Sequence, residues 1–310
     1  MRQKCKVYMS YESDRIFNYN NDAPHICYPL IKHQDKYFCT VPTYIIASLI
    51  DGLYYKLDSP NKPAIHDEFA GNLENYVGLL IAKGLTGHNI SYCREITYSD
   101  GKQGSLKTSD WILWDDDSLC FLDCKTKRIS IRGKRATDID DNLIDKIIEQ
   151  QPYTGKAKRN FIDTLSDGIT KDLINLGIEL GKVFVCFDAF EAGKISELAI
   201  DGEKQFYACL VTIEENYTNT PEYKKRVIQI AQSYRDSKQG THRIIDEKRV
   251  RLLSISEFEN CMETMSEMGI GKCLDMSPIR DTVNHQHIKD YLFEELQKVL
   301  FHPLMNDILH

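Results

Sequence analysis

The run from Ser109 to Lys125 constrains this chain more than any other. An apolar segment, Ser109-Asp110-Trp111-Ile112-Leu113-Trp114, is followed by the four residues Asp115-Asp116-Asp117-Ser118 and then by Leu119-Cys120-Phe121-Leu122-Asp123-Cys124-Lys125. Two apolar runs joined by so short a polar turn predict a β-hairpin. Side chains two apart on a strand project from one face, so Asp123 and Lys125 point the same way. Asp110 enters from the neighbouring strand. Two carboxylates and one ammonium then converge on a volume about the size of a hydrated divalent cation. Hard oxygen ligands with water positions left open are what Mg²⁺ prefers.

An acidic residue two places before a lysine occurs five times: Asp100/Lys102, Asp123/Lys125, Glu222/Lys224, Asp236/Lys238 and Asp246/Lys248. Four of these lie in polar sequence, where a solvated surface charge is expected. Only Asp123/Lys125 follows an apolar run, Leu119 to Leu122, that draws it toward a buried sheet. Charged groups are costly there unless they are paired or bound to metal, and buried ionisable groups mark functional sites. The triplet therefore reads as the centre of a metal-dependent nuclease site.

At 310 residues the chain suits one large domain or two ordinary ones, and 42% hydrophobic residues can build a core. No apolar run approaches the roughly 18 residues that would span a bilayer. The opening Met1-Arg2-Gln3-Lys4-Cys5-Lys6 leads into polar sequence and not a secretory h-region, so a soluble cytoplasmic protein with no membrane association is expected. Ten cysteines form no CxxC pair and read as reduced, packed thiols. The one close histidine pair, His285/His287, has no cysteine or carboxylate at metal-ligand spacing and reads as no zinc site.

A formal charge of −7 opposes binding to a polyanion, so any basic surface must be local. Lys127, Arg128, Arg132, Lys134 and Arg135 follow the Asp123 strand directly, with Lys156, Lys158 and Arg159 further on in a helical segment. Charge runs are commonly solvated faces. The position of the first group at the exit of that strand makes it the candidate grip on a phosphate backbone.

Along the chain, residues 1–65 read as an N-terminal α/β extension, with a strand at Tyr37–Val41, a helix at Tyr44–Ile50 and a turn-rich end at Ser59-Pro60-Asn61-Lys62-Pro63. A helix from Asp67 to Lys83 follows from the spacing of Phe69, Leu73, Tyr76, Val77 and Leu80, and Gly84 and Gly87 end it. Glu74 lies on the flank of its apolar stripe. Strands are expected near Ile90–Tyr98, Leu106–Trp114 and Leu119–Lys125. Next come a helical stretch from Asp138 to Leu165 broken at Pro152, a strand at Val183–Phe187 and another at Phe206–Ile213. Helices at Glu222–Ser233, Ser256–Met268 and Ile288–Leu300 complete the reading. Leu292, Phe293, Leu296, Val299 and Leu300 form a packing stripe on the last, which closes the core or meets a partner.

The helix bearing Glu74, Ser109-Asp110 on one strand, Asp123-Cys124-Lys125 on the next and the α-β-β-β-α-β order over residues 66–190 resemble the PD-(D/E)XK nuclease superfamily. The resemblance implies a restriction-endonuclease-like α/β core, a mixed sheet flanked by helices, at residues 66–215. A mainly helical C-terminal region, 216–310, would pack on that core or on a partner. It implies Glu74, Asp110, Asp123 and the Cys124 carbonyl as ligands of Mg²⁺, with Mn²⁺ able to substitute, and Lys125 as the catalytic lysine. Ser109 stands where the pattern has Pro, a position that binds no metal. Some branches place a Gln on the following helix, for which Gln150 and Gln151 are candidates beside the disruptive Pro152. The implied activity is endonucleolytic hydrolysis of DNA, with RNA not separated from it by sequence. By analogy of fold alone, it would be the nuclease subunit of a bacterial anti-phage or toxin-type module, held in check by a protein partner or by homo-oligomerisation. The alternative is a catalytically silent, nuclease-like subunit that binds nucleic acid or protein.

Overall fold

The computed structural model describes residues 30–33, 36–39, 63–86, 89–99, 104–126, 139–166, 168–200, 202–213, 221–239 and 244–276. By its internal contacts the chain divides at Phe69/Ala70 into two units. In the first, β1 (Leu30–His33) and β2 (Lys36–Cys39) form an antiparallel hairpin. The helix expected at Tyr44–Ile50 lies outside the described residues.

Helix α1 (Pro63–Gly84) begins at the turn-rich segment and carries the chain into the second unit. There a five-stranded sheet has the order β3 (Ser91–Arg94), β6 (Trp111–Trp114), β7 (Ser118–Lys125), β8 (Gln205–Thr212), β9 (Val250–Ser254). The first three strands run antiparallel, whereas β7–β8 and β8–β9 are parallel. Parallel neighbours need long crossovers. Three helices, α2 (Asp141–Gln150), α3 (Gly155–Phe161) and α4 (Ile169–Glu191), fill the first crossover. The second holds α5 (Pro221–Gln239). β7 is covered on both faces and is buried up to Cys124, which explains why its sequence is a continuous apolar run and not an alternating one.

The sheet separates two cores. On one side Ile112, Leu119, Phe121, Ala208 and Leu210 meet α2, α4 and α5. On the other, Leu113, Cys120, Leu122, Cys209 and Val211 meet α1, α6 (Ile255–Met268) and α7 (Ile270–Met276). Alternate residues of each strand feed opposite cores. The result is an α/β/α arrangement, a mixed α/β unit with its sheet flanked by helices. α6 starts in a capping box: the Ser254 hydroxyl accepts from Glu257 N at 3.2 Å, and Ser254 N donates to Glu257 Oε2 at 2.5 Å.

Four readings change. The segment Val183–Phe187 is helical, being the last turns of α4, whose buried residues from Ile169 to Ala189 recur at three- and four-residue spacing on more than one face. A helix buried nearly all round shows a strand-like apolar run in any short window. The parallel partner of β7 is therefore β8, so the α-β-β-β-α-β order expected over residues 66–190 is not completed within them, and the main sheet follows that order only when β8, at Gln205–Thr212, is taken as its fourth strand. Next, the long strands expected at Ile90–Tyr98 and Leu106–Trp114 each break. Their outer pieces, β4 (Thr97–Ser99) and β5 (Ser105–Lys107), form a separate two-stranded ribbon. At the break three residues, Thr108 to Asp110, stand opposite two, Glu95 and Ile96, as in a β-bulge; Thr108 N donates to the Ile96 carbonyl at 2.9 Å, and the Thr108 hydroxyl, in place of a backbone carbonyl, accepts from Ile96 N at 2.9 Å. A strand also arises within the region read as helical, since β9 completes the main sheet. Arg251 sits inside it, buried, and donates to the carbonyls of Leu274, Lys248 and Val250. Finally, the Glu222/Lys224 triplet is not a solvated one, because Lys224 is buried and donates to the Val250 carbonyl at 3.1 Å.

The helix broken near Pro152 appears as α2 and α3. Gln151 caps α2 in the left-handed conformation, at φ 47°. The helix expected at Ile288–Leu300 and its packing stripe lie outside the described residues, as does His285/His287.

Candidate functional site

The acidic turn between β6 and β7 is a structural device. Asp115 Oδ1 accepts from Asp117 N at 3.1 Å and Ser118 N at 2.7 Å, while Oδ2 accepts from Ile270 N at 2.7 Å. This carboxylate closes the hairpin and ties it to the start of α7. With the turn fixed, Trp111 pairs with Leu122 and the register carries on to set Asp110 opposite Asp123. There side chains replace the backbone ladder. Asp110 N donates to Asp123 Oδ1 at 3.1 Å, and Cys124 N donates to Asp110 Oδ2 at 2.7 Å. Each carboxylate is thus gripped by the other's strand. By alternation both acids and Lys125 belong to the face that carries Ile112 and Phe121 and is covered by α4.

Helix α4 brings a residue that sequence reasoning missed. Lys125 Nζ lies 3.2 Å from Asp123 Oδ2 and 3.1 Å from Glu179 Oε2. Glu179 in turn accepts from Lys182 Nζ at 2.8 and 3.0 Å through its two oxygens. The result is a chain of alternating charge: Asp123, Lys125, Glu179, Lys182. The only local signal for Glu179 was its spacing to Lys182, which is that of an ordinary surface pair on a helix.

The site is only partly open to solvent, with the Asp123, Glu179 and Lys125 side chains 10, 24 and 26% exposed. Burial raises the Asp110 carboxyl to about 7, helped by the negative charge of Asp123 and opposed by the Cys124 amide and Lys125. Burial works against the Lys125 ammonium, but Asp123, Glu179 and Asp110 outweigh it and hold the amine charged well past its ordinary range. Burial likewise opposes the Glu179 carboxylate, and the two lysines nonetheless draw it below its usual value.

Glu74 lies on α1 in the opposite layer. Its carbonyl accepts from the Trp111 indole N–H at 3.3 Å, and Gly78, one turn on, faces the same ring so closely that a Cβ there would overlap it. α1 is therefore seated directly on Trp111. The Glu74 charge reaches Asp110 and Cys124 weakly, adding to the elevation of both, and no hydrogen bond joins it to either. The Cys124 side chain belongs to the core beneath α1 and is buried, and its thiol is held well above its ordinary value, first by burial. Only its carbonyl qualifies as a ligand.

Gln150 and Gln151 are both exposed at the end of α2, and no hydrogen bond of the described residues links either to the acids. Lys127, Arg128, Arg132, Lys134 and Arg135 lie outside the described residues. Lys156, Lys158 and Arg159 stand on α3, none of the three bonded to the acids, and α3 has no buried residue.

Do these residues fit a divalent cation? Among the described residues no three His, Cys, Asp or Glu side chains already stand at metal-holding spacing. Mg²⁺ asks for less, because it keeps several waters and is bound through one or two carboxylates plus substrate phosphate. The charge balance fits it: burial first, and then the negative charge of Asp123, lift the Asp110 carboxyl to about 7, and the nearest ammonium is shared with Glu179. No protein-family description, curated protein or solved structure matches this chain.

No helix among the described residues is long and apolar enough to cross a membrane.

Proposed function

We propose that this protein is a Mg²⁺-dependent nuclease that hydrolyses phosphodiester bonds of DNA, with Mn²⁺ able to replace Mg²⁺. One observation carries the reading: Asp110 and Asp123 face each other across the β6–β7 pair, with Lys125 next along the same face. Such a trio suits hydrolysis of an anionic ester. A divalent cation held by the two aspartates and the Cys124 carbonyl would polarise the phosphate and acidify a bound water. Asp110 and Asp123 supply the charge that holds it, with Glu74 adding negative potential from the far side. Lys125, kept cationic by its neighbours, orients the water or offsets charge that develops on the phosphate. The basic run Lys127–Arg135 would grip the backbone.

The αβββαβ order of the central sheet, with β8 parallel to β7, supports a restriction-endonuclease-like core for the same unit. Placement of the nuclease in a defence module, under the control of a partner or of a second copy, extends the proposal by analogy of fold.

The test incubates the purified protein with plasmid, linear duplex and single-stranded DNA and with RNA, each with Mg²⁺ or EDTA. DNA cleavage that EDTA stops supports the proposal. Cleavage of RNA alone would move it to a ribonuclease, and no cleavage of any substrate would favour the silent nucleic-acid-binding subunit.

A further inference from the structure

Lys125 bridges two carboxylates at nearly equal distance, Asp123 at 3.2 Å and Glu179 at 3.1 Å. One of the two is a proposed cation ligand. The other sits on a separate element, α4, and takes no part in the reaction as proposed. An ammonium resting on Asp123 occupies the space and the charge that a divalent cation would claim, so the two cations compete for that oxygen. Glu179 offers the ammonium a second seat without requiring it to leave the site.

We infer that Glu179 is a positioning residue that receives Lys125 when a divalent cation binds at Asp123, so that the lysine serves as a built-in counter-ion in the metal-free protein. This rests on the nuclease reading for the identity of the metal ligands. The geometry suits the exchange. Both Glu179 oxygens accept from Lys182 Nζ, at 2.8 and 3.0 Å, so the carboxylate keeps a partner whether or not Lys125 leans on it. It lies between Gly177 and Gly181, where α4 presses on α5: a Cβ at Gly177 would lie 2.7 Å from Ile230 Cβ, and one at Gly181 2.8 Å from Tyr234 Cβ. The backbone beneath Glu179 is thereby held. Asp123 is positioned independently through Asp110 N. Lys125, with the only long flexible stem of the three, is the member able to move.

The experiment measures Mn²⁺ affinity directly, by the electron paramagnetic resonance signal of the free ion, without substrate. Glu179→Gln should weaken Mn²⁺ binding on the order of fivefold, because Lys125 then has Asp123 alone. Lys125→Met should tighten binding, a gain that misfolding cannot produce. In the Lys125→Met background the Glu179→Gln change should shrink to less than about twofold. An equal loss in both backgrounds would overturn the inference, since Glu179 would then act as a plain negative charge, while leaving the metal site intact. Failure of the unmodified protein to bind Mn²⁺, or binding unaltered by Asp123→Asn, would overturn the metal reading itself and the inference with it.

Discussion

Asp123 and Asp246 each precede a lysine by two residues, yet their surroundings differ in every respect that matters to chemistry. Asp123 is nearly buried and faces Asp110, whereas the Asp246 side chain is 57% exposed and caps a short 3-10 turn by accepting from Lys248 N at 3.0 Å. Asp123→Asn should abolish Mg²⁺-dependent cleavage. Asp246→Asn should retain it and cost only a few tenths of a kcal/mol, because Asn caps as well as Asp. A plasmid-nicking assay on the two proteins checks both. Asp110 gives a second test. Its folded-state value, about 7, lies above the ordinary carboxylate value because burial and Asp123 favour the neutral form. Between about 4 and 7 the folded chain therefore holds a proton that the unfolded chain has released. Stability without metal should fall as pH rises through that window. Melting temperatures in EDTA at pH 5 and 7.5 should show a fall in the unmodified protein that is smaller in Asp110→Asn. At this scale the sequence was informative where the pattern is local. Asp110, Asp123 and Lys125 belong to one hairpin, and strand alternation alone brings them together. Glu179 was not readable, since its partner lies on a distant strand and the segment between Leu165 and Val183 carried no assignment.

Two helices hold this constellation through glycines. On α1, Gly78 lets the backbone lie against the Trp111 indole, whose N–H holds the Glu74 carbonyl. Gly78→Ala should push α1 off the sheet and cost about 1–3 kcal/mol, the usual range for overpacking. The emission of Trp111 should shift as its cover opens. On α4, Gly181→Ala should destabilise by a similar amount, because the added methyl meets Tyr234 and the Ala231 carbonyl. Urea titrations of both variants supply the values. The elements that periodicity identified were the amphipathic ones, α1 with Leu73, Val77 and Leu80 in particular. α4 was partly mistaken for a strand because it is buried between the sheet, α2 and α5, so its apolar positions run together as they do in a covered strand. β9 escaped for the opposite reason. Arg251 interrupts its apolar pattern, and the carbonyls at Lys248, Val250 and Leu274, together with the Asp275 carboxylate at 3.5 Å, make a buried guanidinium tolerable there.

At the scale of the whole molecule, the net charge of −7 sets the terms on which a polyanion can approach. The acids gather at the carboxyl end of β7, and the chain that leaves this end is the basic run from Lys127 to Arg135. Neutralising Arg128, Arg132 and Arg135 together should weaken DNA binding and reduce the slope of log affinity against log salt by up to roughly three units, as loss of three phosphate contacts requires. Fluorescence anisotropy across a salt series reads the slope, and an unchanged slope would show the run to be a solvated loop. The order of the sheet has a separate consequence, for synthesis. Thr212 ends β8, yet the strand that covers its outer edge is finished only at Ser254, roughly forty residues and about two to eight seconds of translation later. Through that interval the nascent chain presents an apolar edge with unpaired backbone groups, the kind of surface that recruits another strand. A ribosome that stalls in α5 therefore leaves behind a sticky fragment, and chaperone demand should peak between those two strands.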